Sequence, residues 1–273
     1  MKGLLMRLAD SMQNLILRLS DAISERIFSP SRRRARGRGT LNGCLIVSHR
    51  GEHDNHKVLE NTMAAFDRAA QAGVWGLELD VRWTRDLHPV VFHDASTLRL
   101  YGTDRRVENM DLRALQREFP QIPSLNDVVL RYGGRLHLMV EIKCMGGEPA
   151  SQNERLRRTF SGLSPVRDYH VLSLDSTVLD KVRFAPQRAL LPIAETNVRH
   201  LSDFALRKGC GGITGHYLLM NGAVLKRHRR CNQAVGTGFV NSRNCLYREA
   251  GRGVKWLFSN RAAEMQKIVN KSG

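Results

Sequence analysis

The sequence predicts an α/β fold, and within that class a (β/α)8 TIM barrel with a short antiparallel hairpin after its second strand. Three observations carry this reading. Eight short apolar runs alternate with stretches of helical periodicity, the rhythm of strands joined by crossover helices. About 230 residues follow position 40, the size at which eight such units close. One further strand-like run, 89–93, follows the second strand after only a short polar turn. A parallel crossover needs a dozen or more residues, so this run must fold back antiparallel.

Taken in order, residues 1–28 read as an N-terminal amphipathic helical extension. Leu4, Leu5, Leu8, Met12, Leu15, Ile16, Leu19, Ile23 and Ile27 recur at spacings of three and four. Residues 29–39 form a basic, breaker-rich linker, Ser-Pro-Ser-Arg-Arg-Arg-Ala-Arg-Gly-Arg-Gly. The domain division is therefore 1–40, helix plus linker, and 41–273, barrel. An apolar helix face beside clustered arginine suits an anionic membrane surface. Packing of that helix on the barrel or on a partner chain is the alternative. Arg7 and Arg18 interrupt any signal-peptide apolar run, so secretion is not expected.

The eight barrel strands are expected at 44–48, 77–81, 136–142, 170–174, 189–193, 212–214, 234–240 and 254–258. Helical patterns cover 61–72, 125–131, 152–160, 177–184, 197–208 and 262–269. With its turn centred near Asp86 and Leu87, the hairpin would set Asp80 opposite His93 and Arg82 opposite Val91.

Composition narrows the partners. The net charge is +17, from 43 basic and 26 acidic residues, which favours anionic ligands. Residues 1–40 hold nine basic and three acidic side chains, and the rest of the excess is spread out. Aromatic residues make up only 6%, so the basic excess lacks the stacking groups of a nucleic-acid binder. The five cysteines are scattered without a C-x-x-C pair, which argues against a disulfide scaffold or zinc-thiolate site. A cytoplasmic chain, peripheral on the inner face of a membrane if residues 1–40 bind there, fits best. No apolar run approaches the ~20 residues of a membrane-spanning helix.

Several apolar strands end in charged groups that a core would reject. Glu78 and Asp80, two apart, share one side of their strand. Glu141 ends the next barrel strand, and Lys143 shares its face. Three carboxylates converging in a barrel mouth repel one another unless a cation joins them. Hard oxygen donors suit one divalent ion, Mg²⁺ or Ca²⁺, with Mn²⁺ a further candidate. Arg50 offers a planar fork and Lys143 a compact charge for phosphate oxygens. His49 and His93 can serve as base and acid. Asn61 suits metal or phosphate, and Glu60 either the site or a helix cap. His53, His56, His88, His137 and His170 read as structural, Asp86 and Asp94 as turn and cap residues, and Arg82 and Arg85 as solvated or hairpin charges. Such a set makes a metal-assisted phosphate site.

At these residues the chain resembles the glycerophosphodiester phosphodiesterase family. The matching pieces are His49-Arg50-Gly51, Glu60-Asn61-Thr62, Gly76-x-Glu78-x-Asp80-Val81, Thr84-x-Asp86, Val90-Val91-x-His93-Asp94, Ile122-Pro123-Ser124-Leu125 and Val140-Glu141-Ile142-Lys143. The resemblance spans roughly 43–145 and implies hydrolysis of glycerophosphodiesters to glycerol 3-phosphate and an alcohol, with a divalent cation. It implies Glu78, Asp80 and Glu141 as metal ligands, His49 and His93 as the acid/base pair, and Arg50 and Lys143 as phosphate contacts. The family's late Trp-Thr-Val-Asn reads here Gly238-Phe239-Val240-Asn241, and its Thr-Asp-Arg-Pro reads Ser259-Asn260-Arg261-Ala262. Phe239, Tyr217 and Trp256 are therefore candidates for the alcohol pocket, with core packing the expected role of Trp256. Two alternatives keep the barrel: a lysophospholipase D-type enzyme at a membrane, and a non-catalytic barrel that binds phosphorylated ligands.

Overall fold

The computed structural model describes residue 41 and residues 43–272. Its elements follow the chain as β1 (Leu45–His49), α1 (Met63–Gln71), β2 (Gly76–Trp83), β3 (Pro89–Val91), α2 (Leu98–Tyr101), α3 (Leu112–Glu118), α4 (Leu125–Tyr132), β4 (His137–Ile142), α5 (Pro149–Thr159), β5 (Tyr169–Ser173), α6 (Ser176–Lys181), β6 (Leu190–Ala194), α7 (Val198–Lys208), β7 (Gly212–His216), α8 (Gly222–Arg230), β8 (Ala234–Gly238), α9 (Arg243–Gly251), β9 (Trp256–Ser259) and α10 (Ala262–Asn270). Parallel pairing runs β1-β9-β8-β7-β6-β5-β4-β2, and β1 pairs back onto β2. The cylinder is closed, as the alternation of strands and helices predicts.

The strands are apolar on both sides because both sides are covered. Val47, Met139, Leu172, Leu191, Trp256 and Phe258 pack with one another in the barrel interior. Residues of the opposite parity, such as Ile46, Leu77, Leu79, Val140, Val171 and Leu257, pack beneath the helices. Trp256 is 1% exposed, which confirms its core role.

Four rings close the N-terminal end of the cylinder. Trp75 stacks on His137 at 4.3 Å, and His170 meets Trp256 edge-on at 5.1 Å. Between them, His137 Nε2 lies 2.7 Å from His170 Nδ1, and His137 Nδ1 lies 2.9 Å from the Arg167 carbonyl. A carbonyl only accepts, so His137 carries its proton at Nδ1, and its bare Nε2 accepts from His170. Both histidines are structural, and burial pushes His137 down to about 4 and His170 to about 3.

Strand β2 explains how the hairpin reaches the mouth. One of its edges pairs with β4 along residues 76–81. The other pairs with β1 through Gly76–Glu78 and then with β3 through Val81–Trp83. Strand β3 thus sits end-on beyond β1, on the same edge. Its far side is pinned by 122–124: Val91 N donates to the Pro123 carbonyl at 2.9 Å, and Val90 bridges to Ser124. Ser124 and Asp127 form a capping box that starts α4, which accounts for the Ile-Pro-Ser-Leu motif.

The hairpin register differs by one from the sequence expectation. Arg82 faces Val90 rather than Val91, and Phe92, not His93, comes opposite Asp80, donating to its carbonyl at 2.9 Å. The turn is the cause. Thr84 pairs with His88 around three residues, and Leu87 takes a left-handed φ of 58°. The pairing is therefore centred on Asp86 rather than between 86 and 87. The strand ends at Val91, so strand alternation no longer governs where His93 points.

Helices α8 and α9 escaped sequence reading because their buried faces are narrow. Leu225 and His228 are the buried residues of α8, and Cys245, Leu246 and Glu249 those of α9. Helices α2 and α3 were also missed; they cover a separate small core of Val90, Phe92, Val107, Leu115, Phe119 and Ile122. The amphipathic helix and basic linker expected over 1–40 lie outside the described residues, and so does that domain boundary. Among the described residues, no helix is long and apolar enough to cross a membrane.

Candidate active site

Glu78, Asp80 and Glu141 rise from the adjacent strands β2 and β4 and converge, each buried, with one oxygen of each within 4.8 Å of the others. Pairing sets Asp80 beside Glu141 directly. Around them the backbone is bent into unusual shapes. Arg50 (φ 60°), Asn61 (57°) and Phe239 (64°) all take the left-handed region, a cost that non-glycine residues bear mostly at sites. Gly51 follows Arg50 at φ 81°, where a Cβ would lie 2.7 Å from Ala65 Cβ. Glycine there lets α1 pack under the loop. The Arg50 amide is tied to Glu78, at 3.0 Å to its carbonyl and 3.1 Å to Oε2.

The cations lie where the sequence suggested. Arg50 Nε is 3.1 Å from Asp80 Oδ2, and Arg50 Nη1 is 3.0 Å from Glu60 Oε1. Lys143 Nζ is 2.5 Å from Glu141 and 2.7 Å from Asp80 Oδ1. Lys143 thus bridges the two carboxylates of β2 and β4. Asn61 holds Asp80 from below, donating from Nδ2 to Oδ2 at 2.7 Å. Glu60 belongs to the site and not to the helix start, since Thr62 caps α1.

Burial raises Glu78 well above the usual carboxylate range, and repulsion from Asp80 and Glu141 adds to it. Burial and Asp80 likewise raise Glu141. Asp80 goes the other way: burial opposes ionisation, but Arg50 and Lys143 together outweigh it. Asp80, Glu78, Glu141, Glu60 and Asp94 face three fixed cations, Arg50, Lys143 and Arg99. With all five carboxylates ionised, two negative charges are left unbalanced, the charge of one divalent ion. The donor set, all buried carboxylate oxygen, fits a hard cation.

Both catalytic candidates are tethered at Nδ1. His49 Nδ1 is 2.6 Å from Asn260 Oδ1, its Nε2 is 3.8 Å from Glu78 Oε2, and its ring meets Phe239 edge-on at 5.9 Å. Burial, with Arg50 adding, pushes His49 down to about 3. His93 Nδ1 is 2.6 Å from Asp94 Oδ1, and Arg82 Nε holds its carbonyl at 2.7 Å. His93 lies within electrostatic reach of Asp80. Oxygen acceptors fix both tautomers and leave each Nε2 free for proton exchange.

Sequence reasoning missed part of this arrangement. Asp94, read as a cap residue, orients His93 instead. Arg99 was not singled out, yet its guanidinium joins Asp94 Oδ2 and both oxygens of Glu60. It thereby links His93 to Arg50 through two carboxylates. The adjacency of Asp94 to His93 was a usable signal; nothing local marks Arg99. Arg99→Ala is expected to lower kcat about tenfold to a hundredfold, with partial rescue by Arg99→Lys, in steady-state assays. Tyr217, 1% exposed, is stacked behind His216, which itself meets Phe239 at 5.3 Å. Of the pocket candidates, Phe239 adjoins the catalytic candidate His49.

The profile of the glycerophosphoryl diester phosphodiesterase family matches residues 49–198, more than half of the chain. The chain belongs to this family. Among curated members, a glycerophosphodiester phosphodiesterase of Caldanaerobacter subterraneus is 41% identical over 73 residues, covering 27% of this chain and 29% of that one. Human glycerophosphodiester phosphodiesterase 1 is 35% identical over 96 residues, covering 30% and 28%. The match to the first curated relatives thus spans 29%, 7% and 44% of their lengths. Solved folds of the family align far more fully. A Thermotoga maritima glycerophosphodiester phosphodiesterase superposes with TM-score 0.67 at 20% identity, over 82% of this chain and 98% of that one. An Oleispira antarctica phosphodiesterase, solved with the product sn-glycerol-3-phosphate, gives 0.68 at 20%, over 82% and 96%.

Proposed function

We propose that the chain hydrolyses glycerophosphodiesters to glycerol 3-phosphate and an alcohol with one divalent cation. The convergence of Glu78, Asp80 and Glu141 between His49 and His93 carries this reading. The three carboxylates would hold the ion, which supplies charge against the phosphate oxygens and lowers the cost of a developing oxyanion. Arg50 and Lys143 turn from their carboxylates toward the same oxygens. His49 and His93 divide the proton transfers at Nε2: one takes a proton from water as the water oxygen bonds to phosphorus, and the other gives a proton to the alkoxide oxygen as the P–O bond to the alcohol breaks. Phe239 lies against His49 and offers an apolar wall to the carbon part of the substrate. Family membership supports the substrate class, and the fully assembled charge set argues against a barrel that only binds.

A lysophospholipid substrate uses the same groups and differs in where the enzyme works. It draws on the amphipathic pattern of residues 1–40, with an anionic membrane as partner and the inner membrane face as location. The test is a panel of glycerophosphodiesters and lysophospholipids with Mg²⁺, Ca²⁺ or Mn²⁺, before and after EDTA. Release of glycerol 3-phosphate that EDTA abolishes is expected. Full activity in EDTA removes the cation from the scheme, and hydrolysis of lysophospholipids alone replaces the substrate.

A further inference from the structure

A second basic site stands on the outer wall of the barrel, away from the mouth. Helix α8 and the C-terminal end of α9 border an open cleft of about 620 Å³ lined by Gly222, Leu225, Lys226, Arg229, Arg230 and Arg252. No acidic residue lines it. Among the described residues, no carboxylate lies within 4.0 Å of the charged ends of Lys226, Arg229 or Arg230. The adjoining Arg227, on another face of α8, is paired with Asp203.

Two of the four cations are fixed in place. Arg229 Nη2 donates to the Arg252 carbonyl at 3.1 Å. A Cβ at residue 253 would lie 2.7 Å from that nitrogen, so Gly253, at φ 74°, leaves the guanidinium its position. Arg252 is anchored by Glu249, 2.9 Å away and fully buried, and by the Met220 carbonyl. Arginines held this way lose little freedom when an anion arrives. Cations at a helix C-terminus also offset the helix dipole, but Lys226 lies outside the last turn of α8.

We propose that this cleft binds a small phosphorylated ligand carrying at least two negative charges. A planar guanidinium pair with a flexible lysine matches phosphate oxygens, and the cleft is of small-molecule size. A bilayer is a poorer fit. The exposed large apolar side chains among the described residues are Leu130, Val166, Leu174 and Leu218, none in the cleft. Among the described residues, a headgroup there would have no apolar anchor beside it.

The experiment is calorimetric titration of the full chain with inorganic pyrophosphate in EDTA, which removes any metal that could hold the probe in the mouth. Saturable binding is expected, weakened about tenfold or more by Arg229→Ala/Arg230→Ala and by Lys226→Glu, with catalytic rates unchanged. Affinity should fall as salt rises. No saturable binding, or equal binding by both variants, overturns the proposal. Cosedimentation with vesicles containing phosphatidic acid separates the sources of phosphate. Vesicle binding lost in the variants, with no response to pyrophosphate, overturns the soluble ligand in favour of a lipid headgroup.

Discussion

His49→Ala and His93→Ala should each lower kcat for a glycerophosphodiester by about 10²–10⁴, the usual worth of a positioned acid or base. The melting temperature should change little. The two side chains are 23% and 31% exposed, so truncation opens no sealed cavity. Each ring is anchored at one nitrogen by an oxygen acceptor, Asn260 for His49 and Asp94 for His93. What alanine removes is therefore a group aimed at the mouth rather than a strut. Steady-state kinetics with glycerophosphocholine, beside thermal unfolding of the same preparations, decides the matter. A variant with wild-type kcat shows that its histidine moves no proton in the reaction.

Acid should destabilise the barrel through His137 and His170. In the folded chain both sit below the free-histidine value of about 6.5 and stay neutral, at about 4 and about 3. The unfolded chain takes up a proton on each as pH falls through about 6.5, so it binds more protons than the folded one. Stability is therefore full above that pH and drops below it, with a slope approaching about 2.7 kcal/mol per pH unit for two sites. The drop continues until the folded pair begins to titrate. Chemical denaturation at pH 6 and pH 5 should show the wild type steeper than His137→Leu/His170→Leu by about this slope, since other buried histidines such as His49 contribute to both. Equal slopes would mean that the buried pair is already charged.

The barrel was legible because its strands obey simple rules. Runs such as Leu-Met-Val-Glu-Ile are too apolar for an exposed sheet and end in charges too costly to bury unpaired. The metal-binding candidates were legible for the same reason: the i, i+2 spacing of Glu78 and Asp80 fixes their common side, and Glu141 needs only the neighbouring strand. The hairpin register was not legible, since it turns on Leu87 adopting a left-handed conformation that its side chain gives no reason to expect. Helix α8 was hidden by charge, because Lys-Arg-His-Arg-Arg leaves no apolar period to count. Arg99 was hidden by distance: its partner Glu60 lies 39 residues away and is reached only through the fold.

The packed rings at the foot of the cylinder have a consequence for traffic. With Trp75, His137, His170 and Trp256 filling one end, the chamber is a blind alley. Under the proposed reaction, substrate and products would pass through the opposite end alone, and each turnover would have to clear it before the next began.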